Sequence, residues 1–335
     1  MRLLGEILTV FTEEDFTMAI NAIQFQKGMS LIEFYRRFGT ETQCQEAFEK
    51  ARWPLGFQCP VCSGMAHSIF LRSGRKYWQC TACRHQTTVR AGTLLEASKL
   101  SLHQWLLAIF LVTQSKNNVS ALELKRQLGV AWRTAWLLKH KLMEAMATRE
   151  ASRQLGHEVE IDDAYLGGER TGGKRGRGSE NKVPFVAAVE TREGRPFYVR
   201  FDPVPNFSQA CLGEWAKGAL APGCHVTSDG LSGFSSVVSA GCTHEPIVVG
   251  GGKRAAGHPR FKWVNTLLGN LKTALSGTYH AFAFSKYARH YLGEYQYRFN
   301  RRFDLASMVA RLARATMLAS PCNARQIIHS AEPCR

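Results

Sequence analysis

The apolar residues in the first half of the chain have the spacing of helices. They recur every three or four positions in two short segments between Leu31 and Trp53, from Leu100 to Val112, and from about Ala131 to Met146. The capping box Ser120–Glu123 predicts a further helix, and Gly129 predicts the turn after it. This half of the chain is therefore predicted to be mainly helical.

From about Gly156 the period changes to that of strands. Residues Glu158–Asp163 alternate charged and apolar side chains, and a pair of glycines follows at Gly167 and Gly168. Further strands are predicted at residues 183–190, 196–201, 223–228 and 244–249, and a helix at residues 206–220. Three strands followed by helices and strands in alternation indicate a mixed α/β sheet, so we predict an α+β multidomain chain.

Two more helical patterns follow the predicted sheet. From Phe261 to Leu275, an apolar stripe runs along a helix, and Asn265 and Lys272 lie beside it. Since seven residues make almost two turns, these two polar side chains share one edge of the helix. From Ser285 to Phe303, aromatic residues recur four apart, which indicates a core stripe rather than a platform for nucleic-acid bases.

Composition adds an expectation about the partner. The 335 residues contain 43 Lys and Arg against 27 Asp and Glu, a formal net charge of +16. This excess favours a polyanion such as nucleic acid, because neutralising phosphates releases counterions. No apolar run reaches the roughly 20 residues of a membrane span, and no signal peptide is recognisable. We therefore expect a cytoplasmic protein with no membrane partner and with reduced cysteines, associated with the nucleoid when it is bound to DNA.

Four of the ten cysteines have the spacing of a zinc site. Cys59 and Cys62 form one Cys-x-x-Cys pair, and Cys80 and Cys83 form a second pair seventeen residues later. Two such pairs can supply the four thiolates of a tetrahedral Zn²⁺ site, so we predict a structural zinc ribbon. The basic and aromatic residues between the pairs could touch DNA, or the zinc could only hold the fold.

The helices on either side of Gly129 resemble a helix-turn-helix. The second helix is basic, and in this motif it enters the major groove of DNA. Arg133, Lys139 and Lys141 are the residues that we predict to contact DNA from this helix. Four more cations, in two glycine-rich loops, are predicted to do so as well: Lys174, Arg175, Lys253 and Arg254.

Two predicted strands each end in an acid. Asp162 ends the strand that begins at Glu158, and Asp229 follows the run His225–Ser228. Acids at the ends of two strands suit a hard cation such as Mg²⁺, which prefers oxygen ligands. Asp163 competes with Asp162 for this role, although strand alternation places the two side chains on opposite faces.

The order Asp162, Asp229, Asn265 and Lys272, with thirty-five residues between Asp229 and Asn265, resembles the core of a bacterial insertion-sequence transposase. It is similar to the zinc-ribbon, ISXO-like DDE group, insertion-sequence family fifteen ninety-five, in its Asp-Asp-Asn-Lys subgroup. The resemblance runs from about Asn21 to Phe303. Its most specific segments are Ile161–Gly168, Leu275–His280 and Tyr297–Arg302.

This resemblance implies an RNase H-like core that binds the terminal inverted repeats of an element and target DNA. It further implies cleavage and strand transfer with Mg²⁺ or Mn²⁺ held by Asp162, Asp229 and Asn265, with Lys272 facing the phosphate. Among the two neighbouring acids, only the resemblance selects Asp162. A homodimer or higher oligomer on DNA is expected, and the alternative is a catalytically inactive DNA-binding regulator derived from a transposase.

Asn265 departs from the commoner pattern, because many relatives have Glu at this position. An amide oxygen can bind the ion but adds no charge, so Glu245, His258 or a substrate phosphate would have to assist. The predicted division is an N-terminal extension at 1–28, a helical lead-in and zinc ribbon at 29–98, a helix-turn-helix at 99–150, the catalytic core at 156–304 and a C-terminal tail at 305–335.

Overall fold

The computed structural model of the chain describes residues 27–167, 182–248, 258–279 and 282–329. The predictions for Lys174, Arg175, Lys253 and Arg254, and for the loops that carry them, lie outside these residues. So does nearly all of the predicted N-terminal extension. None of the helices within the described ranges combines the length and the apolar character needed to cross a bilayer.

The N-terminal half is helical, as predicted. Its helices are α1 (Leu31–Phe38), α2 (Glu41–Arg52), α3 (Leu102–Gln114), α4 (Ala121–Leu128) and α5 (Trp132–Ala151). Capping boxes at Thr40 and Ser101 start α2 and α3, because each hydroxyl accepts the N–H of the glutamine three residues later. Between these helices, β1 (His67–Arg72), β2 (Arg75–Cys80) and β3 (Gln86–Thr87) form an antiparallel sheet in this order.

Helix α9 (Leu305–Leu318) completes the core of this helical half, although it comes from the end of the chain. Its buried stripe includes Met308 and Leu312 and packs with the apolar side chains of α1 to α5. Two long-range hydrogen bonds fix it: the Leu94 N–H donates to the Thr316 carbonyl at 3.3 Å, and Arg314 donates to the Ala51 carbonyl at 3.0 Å. The prediction of a C-terminal tail from residue 305 is therefore corrected.

The second half of the chain is built on a five-stranded mixed sheet. Its strands are β4 (Glu158–Leu166), β5 (Val183–Arg192), β6 (Arg195–Pro203), β7 (His225–Ser228) and β8 (Thr243–Pro246). They lie in the order β6-β5-β4-β7-β8. Strands β4, β5 and β6 pair antiparallel, whereas β7 pairs parallel to both β4 and β8. The predicted order of elements is confirmed, and β4 lies at the centre of the sheet.

Helices cover both faces of this sheet. On one face, α6 (Gln209–Ala219) and the 3₁₀ segment Ser232–Ala240 pack against Val159, Ile161 and other residues of β4, β5 and β7. On the other face, α7 (Lys262–Tyr279) and α8 (Phe284–Phe299) bury the apolar residues of β4, β5 and β6. A 3₁₀ turn at Pro259–Phe261 precedes α7, and α10 (Ala324–His329) is the last element described.

Helix α8 also joins the two halves of the chain. Glu144 of α5 accepts hydrogen bonds from two residues of α8, Arg289 at 2.5 Å and His290 at 2.9 Å. A buried ion pair between Glu150 and Arg301, at 2.6 Å, lies just beyond. Tyr291 of the predicted aromatic stripe is buried in this region, which confirms the interpretation of the stripe as core.

Candidate functional site

The four predicted zinc ligands lie together and come from two turns of the same geometry. In each turn, the N–H of the first cysteine donates to the carbonyl five residues later, from Cys59 to Gly64 and from Cys80 to His85, at 2.9 Å in both. The residue after the second cysteine is left-handed in both turns, with φ of 60° at Ser63 and 62° at Arg84. The repeated geometry makes all four sulfur atoms converge within 4.8 Å.

The distances between these sulfur atoms fit a tetrahedral metal site. Cys59 Sγ lies 3.5 Å from Cys83 Sγ, and Cys62 Sγ lies 3.5 Å from Cys80 Sγ. Four sulfur atoms at about 2.3 Å from one ion would be about 3.8 Å apart, so these two distances are close to the spacing that zinc requires. Desolvation raises the pKa of Cys59, but hydrogen bonds from the backbone N–H groups of its turn and from the thiols of Cys83 and Cys62 together lower it to about 7. This favours the thiolate form, which is the form that binds zinc.

The two predicted acids also converge, although Asp162 lies in the middle of β4 and not at its end as predicted. Strand β7 pairs with β4 up to the pair Ile161–Ser228, so Asp162 and Asp229 directly follow the last paired residues. One carboxylate oxygen from each of Asp162, Asp163 and Asp229 lies within 4.8 Å of the other two. We call these three residues the acid cluster. The structure thus brings together the two predicted acids, and it adds Asp163.

Strand alternation alone does not account for the presence of Asp163 in the acid cluster. Asp162 lies two residues before Ala164, which faces α7, and therefore shares its face of the strand. Asp163 lies two residues before Tyr165, whose ring contacts Phe207 on the opposite face. The two side chains therefore leave the strand on opposite faces, as predicted. Both carboxylates nevertheless meet, because they lie beyond the last residue of β4 that pairs with β7.

The acid cluster concentrates negative charge. Burial raises the pKa of Asp162 to about 7, the charges of Asp163 and Asp229 raise it too, and Lys272 opposes the shift. The effect of Lys272 shows that its ammonium lies within electrostatic reach of Asp162. Asp229 is held in place by the Leu231 N–H, which donates to its Oδ1 at 3.1 Å. Three carboxylates with one oxygen each at this spacing suit a hard divalent cation such as Mg²⁺ or Mn²⁺.

Helix α7 carries the other two predicted residues. Val264, Leu267, Leu268 and Leu271 are buried against the sheet, as the predicted stripe requires, while Asn265 is half-buried and Lys272 is exposed. A residue that the sequence interpretation missed fixes the start of this helix. Glu160 accepts hydrogen bonds from the N–H groups of Trp263 and Val264, each at 2.9 Å.

The two residues expected to assist Asn265 are engaged elsewhere. Glu245 forms ion pairs with Arg260 and, at 3.7 Å, with His225. His258 accepts the Arg260 N–H at 3.3 Å and so caps the 3₁₀ turn before α7. Among the described residues, the acid cluster includes neither of them.

The predicted DNA contacts on α5 divide into two classes. Gly129 has a left-handed backbone and forms the turn between α4 and α5. Ala131 is the N-cap of α5, and Arg133 is exposed in the first turn of this helix. Lys139 and Lys141, in contrast, are buried. Lys139 donates to the Val119 carbonyl at 2.7 Å, and Lys141 donates to the Leu94 carbonyl at 2.9 Å. The prediction that these two lysines contact DNA is corrected, because their ammonium groups already bind carbonyls in the interior.

Comparison with known proteins assigns both halves of the chain. Residues 39–86 match the family described as the transposase zinc-ribbon domain, and residues 154–300 match the ISXO2-like transposase domain. The chain is also 28% identical over 177 residues to an uncharacterized protein in transposable element ISH50 of Halobacterium salinarum. This match covers 48% of the chain and 58% of that protein, so the chain spans little more than half of its relative. The resemblance to a zinc-ribbon insertion-sequence transposase is confirmed.

Proposed function

Because the chain contains a transposase zinc-ribbon domain and an ISXO2-like transposase domain, we propose that it is a DNA transposase. It would bind the terminal inverted repeats of an insertion sequence and catalyse metal-dependent strand cleavage and strand transfer. The observation that carries this proposal is the acid cluster, in which two strands bring three carboxylates within 4.8 Å. Such a cluster has a clear use in phosphoryl transfer, and an inactive DNA-binding regulator would have none for it.

The topology of the sheet supports an RNase H-like catalytic core. An antiparallel meander of three strands is followed by two parallel strands on the other side of the first; Asp229 directly follows β7, and Asp162 lies in β4 just beyond the last residue that pairs with β7. Where parallel strands end side by side, their loops form a crevice in which ligands bind. The acid cluster lies at the carboxyl end of β7, where β4 continues beyond the last residue that pairs with β7.

In the proposed mechanism, Asp162 and Asp229 hold the metal, with Asn265 as the third ligand. Bound divalent ions would supply Lewis acidity to the phosphate and lower the pKa of an attacking hydroxyl. Lys272 places a positive charge on the same helix edge as Asn265, where a DNA phosphate can pair with it. The Leu231 N–H keeps the Asp229 carboxylate oriented, and no covalent bond between protein and DNA is required.

DNA binding is proposed for the surface around α4 and α5. The Gly129 turn between them has the left-handed backbone typical of the turn in a helix-turn-helix, and Arg133 is exposed at the start of the second helix. Arg133 would contact a base or phosphate, and Lys174, Arg175, Lys253 and Arg254 are proposed as further phosphate contacts. A homodimer or higher oligomer on DNA is part of the proposal, because both ends of an element must be held together.

The test is incubation of the full-length protein with linear DNA that carries the candidate element ends, in Mg²⁺ or Mn²⁺. The expected products are DNA cleaved at the element ends and, with target DNA present, joined molecules. Binding without cleavage in either metal, at a zinc content of one per chain, would contradict the proposal and favour a DNA-binding regulator.

A further inference from the structure

Glu160 connects the strand of the acid cluster to the helix of Asn265. A single oxygen, Oε2, accepts both the Trp263 N–H and the Val264 N–H at 2.9 Å. These N–H groups belong to the first turn of α7, where the helix itself offers no carbonyl partner. A carboxylate at this end also interacts favourably with the helix dipole. The contact therefore attaches the start of α7 to strand β4.

The position of this contact relates it to the proposed chemistry. Glu160 lies two residues before Asp162 and on the same face of β4, and Asn265 directly follows Val264 along the chain. The side chain of Glu160 thus sets the separation between the backbones of Asp162 and Asn265. Glu160 itself does not belong to the acid cluster.

We infer that Glu160 is a positioning residue for the catalytic centre. By holding the Trp263 and Val264 N–H groups, it fixes how far along β4 helix α7 begins, and it thereby places Asn265 and Lys272 beside Asp162. The inference rests on the proposed function, in which Asn265 and Asp162 share the metal. It assigns Glu160 no contact with metal or DNA.

The geometry predicts how three substitutions differ. Glu160→Gln keeps a carbonyl oxygen at the position of Oε2, and one oxygen suffices for both N–H groups. Glu160→Asp withdraws the carboxylate by about 1.5 Å, one carbon–carbon bond, so it cannot reach both N–H groups. Glu160→Ala removes the acceptor. A metal ligand or an essential charge would respond differently, because the neutral Gln variant would then be as defective as the Ala variant.

The experiment titrates Mg²⁺ against cleavage of a labelled element end, using full-length variants. We expect Glu160→Gln to stay within about threefold of the wild type. Glu160→Ala and Glu160→Asp should need about 10–100-fold more Mg²⁺ for half-maximal cleavage, the usual range for residues that orient metal ligands. Their DNA affinity and zinc content should be unchanged. The matched control is Glu158→Ala, which removes a carboxylate from the same strand face. The partner of Glu158 is His225, at 3.0 Å, and not the start of α7.

The outcomes separate this inference from the proposed function. A wild-type Mg²⁺ requirement for Glu160→Ala, alongside an inactive Asn265→Ala variant, overturns the positioning role alone. Equal defects in Glu160→Gln and Glu160→Ala also overturn it, in favour of a charge or ligand role. Normal cleavage by Asn265→Ala would instead contradict the proposed ligand set. Should Glu160→Ala fail to fold, the contrast between Glu160→Gln and Glu160→Asp decides the question.

Discussion

The zinc-ribbon cysteines and the acid cluster are both compact groups of metal-binding side chains, but they are assembled in different ways. Each pair of cysteines is brought together by its own turn. The two turns contain equivalent hydrogen bonds and have a left-handed residue at the same position. The acid cluster, in contrast, joins Asp162 and Asp229 from two strands, with β5, β6 and α6 between them along the chain. The first group is therefore a product of local structure, whereas the second depends on the packing of a whole sheet.

The two groups also differ in their electrostatics. In the cysteine site, backbone N–H groups help to lower the pKa of Cys59 and Cys80, which favours the thiolate that binds zinc, whereas the neighbouring thiols raise the pKa of Cys83 to about 12. The carboxylates of the acid cluster repel one another, and the pKa of Asp162 is raised by burial and by Asp163 and Asp229. The acid cluster therefore lowers stability in the absence of a cation, whereas a zinc ion in the cysteine site would raise it.

The largest expected effect is the loss of zinc. Cys80→Ser combined with Cys83→Ser should reduce zinc from one per chain to none, because half of the ligands are removed. Structural zinc sites contribute binding free energy on the order of 10 kcal/mol, so residues 55–90 should unfold. Metal analysis and limited proteolysis measure both results. Cys211→Ser, outside the site, is the control, and full zinc in the double variant would refute the assignment.

A substitution in the acid cluster should impair cleavage and leave zinc binding intact. Asp229→Ala should lower the rate of end cleavage by about 10³-fold or more, ~4 kcal/mol, because the site loses a metal ligand. Zinc content and DNA affinity should stay at wild-type values, since phosphate binding is separate from metal chemistry. Kinetic cleavage assays and gel shifts test this, with Glu214→Ala, an exposed side chain of α6, as the control. Cleavage within tenfold of the wild type would contradict the assigned role.

The pH dependence of folding stability also distinguishes the acid cluster from the cysteine site. The folded protein holds the Asp162 proton up to a pH of about 7, whereas an unfolded chain releases it near pH 4. Stability therefore falls as the pH rises from about 4 to 7, and the full loss applies above 7. In buffer without added Mg²⁺, Asp162→Asn should stabilise the fold by about 2 kcal/mol at pH 8, and by little at pH 4. Urea unfolding at the two pH values measures the difference; destabilisation at pH 8 would show that the repulsion is not relieved.

The smallest effect concerns the pH dependence of metal binding. Below pH 7 a divalent ion must displace the Asp162 proton, so apparent Mn²⁺ affinity should rise about tenfold per pH unit up to about 7 and then level off. Electron paramagnetic resonance of Mn²⁺ at pH 6, 7 and 8 measures this without catalysis. Asp162→Asn should remove the dependence. An affinity in the wild type that is flat across this range would contradict the raised pKa.

The comparison explains which features could be predicted from the sequence. The cysteine site was predictable because its geometry is contained in two short turns whose spacing is visible in the chain. The strands and helices of the second half were predictable because burial on one or two faces imposes a period. Asp229 was identifiable as an acid at a strand end, whereas β4 continues past Asp162 to Leu166 and the choice of Asp162 came from the resemblance.

The errors share a physical cause, which is contact between distant parts of the chain. Lys139 and Lys141 appeared as exposed cations on a basic helix, but carbonyls of the segments around Val119 and Leu94 accept their hydrogen bonds. Glu160 was visible as a charged residue of a strand, yet its partners lie about a hundred residues later on α7. Strand alternation correctly placed Asp162 and Asp163 on opposite faces, but it did not reveal that their carboxylates meet beside the end of the β4–β7 pairing.

The place of α9 in the helical core determines the order in which a nascent chain can complete its structure. Helices α1 to α5 leave the ribosome before the sheet does. Ala51 and Leu94, however, can form their hydrogen bonds with Arg314 and Thr316 only after the entire sheet has been synthesised. Domains that are continuous in sequence can fold during synthesis, whereas this one keeps an apolar face uncovered until α9 has been synthesised. The helical half, although it precedes the sheet in the chain, is thus completed only after the sheet has been translated.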